Sequence, residues 1–214
     1  VEEGPDVERT LVLIKPENFR HPSLRAGNIM SLLSRSGLRI AGVKKFAMTV
    51  AQAEEFYGPV RDSLRHAFPK FGVGRMGRAL EAEFGMPIAL EHLTTLCEAI
   101  APDFAEFEFE NIVEFMSGRR PSSCSDAIKQ LKGSEECLAL VYEGVDAVAV
   151  IRNILGSTDP SKASCGTIRR EFGTNIMVNA AHASDSPENA LREMNIIDIE
   201  RDPLFEELIQ SYYQ

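Results

Sequence analysis

Asn175-Ile-Met-Val-Asn-Ala-Ala-His182, continued by Ala183-Ser184-Asp185-Ser186-Pro187-Glu188, is the stretch on which the reading of this chain turns. Its first half alternates small and apolar residues, as a short buried strand does. Its second half carries the marks of a helix start, with Ser186 as N-cap, Pro187 at the first helical position and Glu188 in the first turn. A single histidine therefore stands between a strand end and a helix N-terminus, where free backbone N–H groups favour an anion. A neutral imidazole in that place can act as a nucleophile, and a phosphoryl group is the natural anion to hold beside it. Histidines at strand ends more often serve packing than chemistry, so the rest of the chain has to decide.

Working outward, Leu138 to Gly144 reads as a strand and Val145 to Leu155 as a helix, with Val148, Ile151 and Leu155 inward and Arg152 near its end. At the front, Thr10-Leu-Val-Leu-Ile-Lys15-Pro16 is a buried strand stopped by proline. A helix from Leu24 to Ser36 follows, closed by Gly37, and then a strand from Leu38 to Thr49 with Leu38, Ile40 and Val43 inward. Val50 to Val60 is a short helix carrying Tyr57. Residues 61–106 change character. They hold a helix near 87–100 and the run Gly72-Val-Gly74-Arg-Met-Gly77, which matches a dinucleotide fingerprint formally but lacks the strand that should precede it, and so reads as a flexible loop. A helix resumes from Asn111 to Met116, residues 119–136 form a polar excursion, and Leu204 to Tyr212 is a short amphipathic helix. This order contains a split β-α-β arrangement, so the expected fold is an α/β (α+β) sandwich. It has a ferredoxin-like antiparallel four-stranded sheet covered by helices, with a helical insertion.

The 214 residues are 44% hydrophobic and 26% charged, with 32 acidic and 23 basic side chains and a net charge of −9. That balance argues against a nucleic-acid binder, including an RNA-binding domain of the same sheet type, but leaves room for a small phosphorylated ligand. Four scattered cysteines, the absence of an apolar run of membrane length and the acidic start Val1-Glu-Glu-Gly-Pro-Asp6 point to a reduced, cytoplasmic setting without a membrane partner. Lys15, Arg152, Arg169 and Asn179 fall at the ends of core elements, and Thr158 lies in the turn after the arginine helix. Cations, an amide and a hydroxyl near one histidine suit a polyphosphate.

Glu8-Arg-Thr-Leu-Val-Leu-Ile-Lys-Pro16, Tyr142-Glu-Gly144, Arg152 to Pro160, Gly166-Thr-Ile-Arg169 and Asn179 to Ser186 together resemble the nucleoside diphosphate kinase family, in the family's order. The resemblance implies transfer of the γ-phosphoryl group from a nucleoside triphosphate to a nucleoside diphosphate, by a ping-pong route through a phosphohistidine on His182, with Mg²⁺. It assigns Glu193 to orienting the imidazole and Ser184 to the hydroxyl beside it. Lys15, Tyr57, Arg152, Thr158, Arg169 and Asn179 become phosphate and ribose contacts, and Asp185 the carboxylate that helps hold the nucleotide's magnesium, usually through water. It also implies a homo-oligomer, dimer or hexamer.

The chain departs from the family in two insertions, at about 61–106 and 119–136, within one domain spanning 1–214. The first interrupts the region of the base-stacking phenylalanine, a role that falls to Phe107 ahead of Phe109 and Phe68. Ala183 stands where glycine is usual, Ala180 and Ala181 where bulkier residues are usual, and Met177-Val178 where the family has Gly-Arg. Those inserts raise the alternative of a weak or inactive member serving as a nucleotide-binding or protein-interaction module.

Overall fold

The computed structural model describes residues 7–200. The expected tail helix at Leu204 to Tyr212 lies outside them. β1 (Val7–Ile14) runs through the middle of the molecule, paired with β3 (Glu136–Val145) on one side and β4 (Ala181–Ala183) on the other. β2 (Arg39–Ala47) lies beyond β3, giving the order β2-β3-β1-β4 with every neighbouring pair antiparallel. This is the expected ferredoxin-like sheet.

Helices cover both faces. The aliphatic run of β1 explains why: Leu11, Val12, Leu13 and Ile14 are all fully buried, each stabilising the fold by about 2 kcal/mol. Leu11 and Leu13 pack with α2 (Val50–Tyr57), α4 (Leu90–Ser117) and α8 (Pro187–Ile196). Val12 and Ile14 pack on the opposite face with α1 (Arg25–Leu33), α6 (Ala147–Leu155) and α7 (Ile168–Phe172). In α6, Val148, Ile151 and Leu155 are buried as the helical period requires. α3 (Val60–Phe84) pairs with α4 as a long hairpin, and α5 (Asp126–Lys129) is a single turn in the polar excursion. Among the described residues no helix is long and apolar enough to cross a membrane.

Four sequence expectations need correction. The glycine run at 72–77 is no loop, because it lies inside α3. Its glycines let helices approach: a Cβ on Gly72 would stand 3.2 Å from Cys97 Sγ and from the Phe68 ring, and one on Gly77 would stand 3.1 Å from Leu93. The two helices expected near 87–100 and 111–116 are one, α4, which passes through Pro102. Packing along the whole of α3 outweighs the proline's missing donor.

Ile40 and Val43 are exposed, 47% and 57%, where they were expected inward. A bulge between Ile40 and Gly42 shifts the register, and the inward places go to Lys44 and Phe46. The strand expected over 175–182 shrinks to Ala181–Ala183. Upstream, Asn175 Oδ1 accepts from the N–H groups of Met177 and Val178, closing a turn where a ladder was expected.

Candidate active site

β4 is short, but it sets the histidine. His182 pairs with Leu13 of β1, while Ala181 and Ala183 turn into the opposite core. Alternation therefore puts the imidazole on the face of α2 and α8. There it meets the edges of Phe56 and Tyr57, at ring centroid distances of 5.2 Å and 6.1 Å. α8 begins as the sequence indicated, with Ser186 Oγ accepting from Asn189 N–H. Two turns on, it delivers the buried Glu193 beneath the ring.

His182 Nε2 lies 3.0 Å from Glu193 Oε2. A carboxylate can only accept, so the proton sits on Nε2 and the lone pair of a neutral ring sits on Nδ1. Ser184 Oγ donates to the same carboxylate oxygen at 2.6 Å, and Arg192 lies 3.6 Å from the other oxygen. The imidazole is thus fixed in tautomer and in plane, with Nδ1 free of hydrogen bonds among the described residues.

The cations converge on the same region. Lys15, just past the end of β1, is 9% exposed and donates to Asn179 Oδ1 at 2.7 Å and to the Met177 carbonyl at 3.0 Å. Asn179 in turn donates to the Thr158 carbonyl at 3.1 Å, tying the turn after α6 to the strand entry. Arg169 donates to the carbonyls of Ala181 and Gly156, so its guanidinium is anchored one residue before the histidine. Arg152 ends α6 beside it, exposed like Thr158. Burial pulls the Lys15 ammonium down to about 8, with Glu17 opposing and Arg169 assisting. Burial, joined by the charge of Arg152, likewise pulls Arg169 down to about 10.

Tyr57 is held well above the usual phenol range, by burial first and then by Cys137, Glu193 and Glu17. It remains a neutral donor, and its hydroxyl is buried without a hydrogen-bond partner among the described residues. Buried cations with depressed affinity for protons, beside an orphaned phenol, are groups that gain from an anion supplied from outside.

The remaining expected residues stand apart from this cluster. Asp185 is exposed at the start of α8 and accepts from Asn189 Nδ2 at 2.6 Å. Phe107 is 55% exposed on α4, with the Arg120 guanidinium 5.3 Å above its ring, and no ring contact joins it to His182 among the described residues. Of its two rivals, Phe109 is fully buried in the core and Phe68 belongs to the α3–α4 hairpin. Sequence reasoning missed Phe56, Glu17 and Asn18. Only the last two had a local signal, the polar pair that follows Lys15-Pro16 in a turn.

A ferredoxin-like sheet with a carboxylate-held histidine and buried cations has the groups that a phosphoryl-transfer domain uses. A family model for nucleoside diphosphate kinase matches residues 8–71 and 104–201. The nucleoside diphosphate kinase of Staphylothermus marinus is 30% identical over 192 residues, covering 90% of this chain and 93% of that protein. That of Kosmotoga olearia is 30% identical over 190 residues, covering 89% and 88%. Among solved structures, the nucleoside diphosphate kinase of Aquifex aeolicus superposes with a TM-score of 0.51 at 28% identity, over 89% of this chain and 94% of that one. The chain belongs to the nucleoside diphosphate kinase family, and its activity is transfer of a phosphoryl group from a nucleoside triphosphate to a nucleoside diphosphate. The stretch that the family model passes over, 72–103, lies in the α3–α4 pair.

Proposed function

We propose that His182 carries the phosphoryl group between the two nucleotides. The observation that supports this most is the Glu193 bond to Nε2, which leaves the Nδ1 lone pair as the nucleophile. In the first half-reaction Nδ1 forms a bond to the γ-phosphorus as the bond from that phosphorus to the β,γ-bridging oxygen breaks. The diphosphate leaves with the electron pair. In the second, a terminal oxygen of another nucleoside diphosphate takes the phosphoryl group and the imidazole is restored. Glu193 stabilises the ring as positive charge develops on it, and Ser184 keeps that carboxylate in place.

Lys15, Arg152 and Arg169 take the phosphate oxygens, and the Tyr57 hydroxyl finds its missing partner there. Asn179 and Thr158 border the sugar and phosphates, and Phe107 offers the exposed ring for the base. The exposed Asp185 carboxylate, an oxygen donor, suits a magnesium ion that arrives on the nucleotide with most of its own waters. Asp185 would hold it, and the ion would offset phosphate charge. The exposed Ile40 and Val43 on the edge strand β2 support a homo-oligomer, and the four unpaired cysteines support a cytoplasmic setting.

Initial rates with both nucleotides varied test the scheme. Parallel double-reciprocal lines are expected, and their loss in His182→Ala. Intersecting lines would show direct transfer between two bound nucleotides, without a phosphohistidine.

A further inference from the structure

We infer that Glu17 is a positioning residue of this site: its carboxylate fixes the Ala180 peptide that joins Asn179 to His182, and it places an acidic group in the same turn as the Lys15 ammonium. The inference rests on the reading of His182 as the phosphoryl carrier.

Ala180 has φ 73, in the left-handed region that a residue with a Cβ adopts at a cost of about 1–2 kcal/mol. Such a conformation persists only where the surroundings over-determine it. Here the turn after β1 does so from both sides. Glu17 Oε1 accepts from the Ala180 N–H at 2.9 Å. The Ala180 carbonyl accepts from the Lys15 N–H at 3.0 Å and from Asn18 Nδ2 at 2.9 Å. On one side of this clamped peptide lies Asn179, which holds the Lys15 ammonium. On the other lies Ala181, whose carbonyl holds Arg169, and then His182. Release of Ala180 would swing the phosphate-binding groups and the nucleophile relative to each other. A misplacement of about 1 Å at a reacting centre is worth roughly 10²-fold in rate.

The clamp by itself needs only one acceptor oxygen, and a neutral amide would supply it. The second oxygen, Oε2, is buried and has no hydrogen-bond partner among the described residues, which a purely structural carboxylate would not be expected to tolerate. Its charge has a purpose in Lys15. Burial draws that ammonium down to about 8, and Glu17 is the strongest opposing influence. The other groups that act on Lys15 are Arg169 from α7, which lowers it, and Cys137 from β3, which raises it. Arg20 shares the Phe115 ring of α4 with it, and the Tyr57 phenol of α2 stays neutral. Of the named groups, only Glu17 lies in the same turn as Lys15.

Two variants separate the charge from the clamp. Glu17→Gln keeps an acceptor for Ala180 and removes the charge. The alkaline limb of its kcat/KM profile, set by Lys15, should move to lower pH by about one unit, with the loss at pH 8 mainly in KM. Glu17→Asp keeps the charge and withdraws the acceptor by one methylene, so the limb should stay in place while kcat falls. Thermal unfolding of both variants shows that they are folded. A Glu17→Gln profile superimposable on the parent overturns the inference, as does an equal loss in both variants at every pH. If the parent protein is phosphorylated equally well in the His182→Ala variant, the underlying reading fails and this inference with it. Labelling confined to His182 together with an unshifted Glu17→Gln profile removes this inference alone.

Discussion

Lys15 is kept at the site against its own contribution to stability. Its ammonium is buried and its folded-state value of about 8 lies below the ordinary lysine value of 10.5. Between those two values the unfolded chain binds more protons than the folded one, so this group's contribution to stability rises with pH across that window and is least favourable below it. The phosphate binding proposed for Lys15 asks for the opposite, a charged lysine, which is lost as pH rises through about 8. The expected outcome is that urea denaturation of the parent and of Lys15→Met gives a stability difference that shifts in the parent's favour by about 2–3 kcal/mol between pH 7 and pH 10.5. A difference independent of pH would mean that Lys15 is solvated and ordinary. His182 and Lys15 are marked in the sequence by the strand ends they stand beside, whereas Glu193 lies inside α8 and is assigned only through the family resemblance. Glu17 and Asn18 could not be read as clamps, since their partner Ala180 is some 160 positions away and its left-handed backbone leaves no mark in an alanine.

At the scale of elements, the α3–α4 hairpin is the part least like its reading. Gly72, Gly74 and Gly77 looked like flexible chain because glycine is a poor helix former, yet tertiary packing overrides that preference. The three are not equivalent. A Cβ at Gly74 meets only the far end of Arg78 at 3.7 Å, whereas at Gly72 it meets buried Phe68 and Cys97. Gly74→Ala should therefore stabilise the fold by about 0.5–1 kcal/mol. Gly72→Leu should cost about 1–3 kcal/mol through overpacking. Thermal melts check both, and destabilisation by Gly74→Ala would mean that the glycine serves something other than helix approach. β1, β2, β3 and α1, α2, α6 and α8 were legible within a few residues, because their apolar period continues into buried cores. The β2 bulge was not, since Ile40 and Val43 are both apolar but three positions apart, and only the pairing with β3 shows where the register slips.

Across the whole molecule, the sheet separates two cores, and the candidate site draws side chains from the helices of both. β1 and β4 bring Lys15 and His182 together from opposite ends of the sequence, and α8 and α7 add Glu193 and Arg169. The net charge of −9 does not oppose polyphosphate binding, because the cations are gathered where the backbone converges. The central claim is that this convergence makes His182 a covalent carrier. Brief incubation with γ-labelled ATP and magnesium, followed by mass mapping of the intact adduct, tests it most directly. The account predicts one acid-labile, alkali-stable phosphate on His182 that passes to added GDP and is absent from His182→Ala. A phosphate on another residue, or full nucleotide exchange with no phosphoprotein formed, would contradict it.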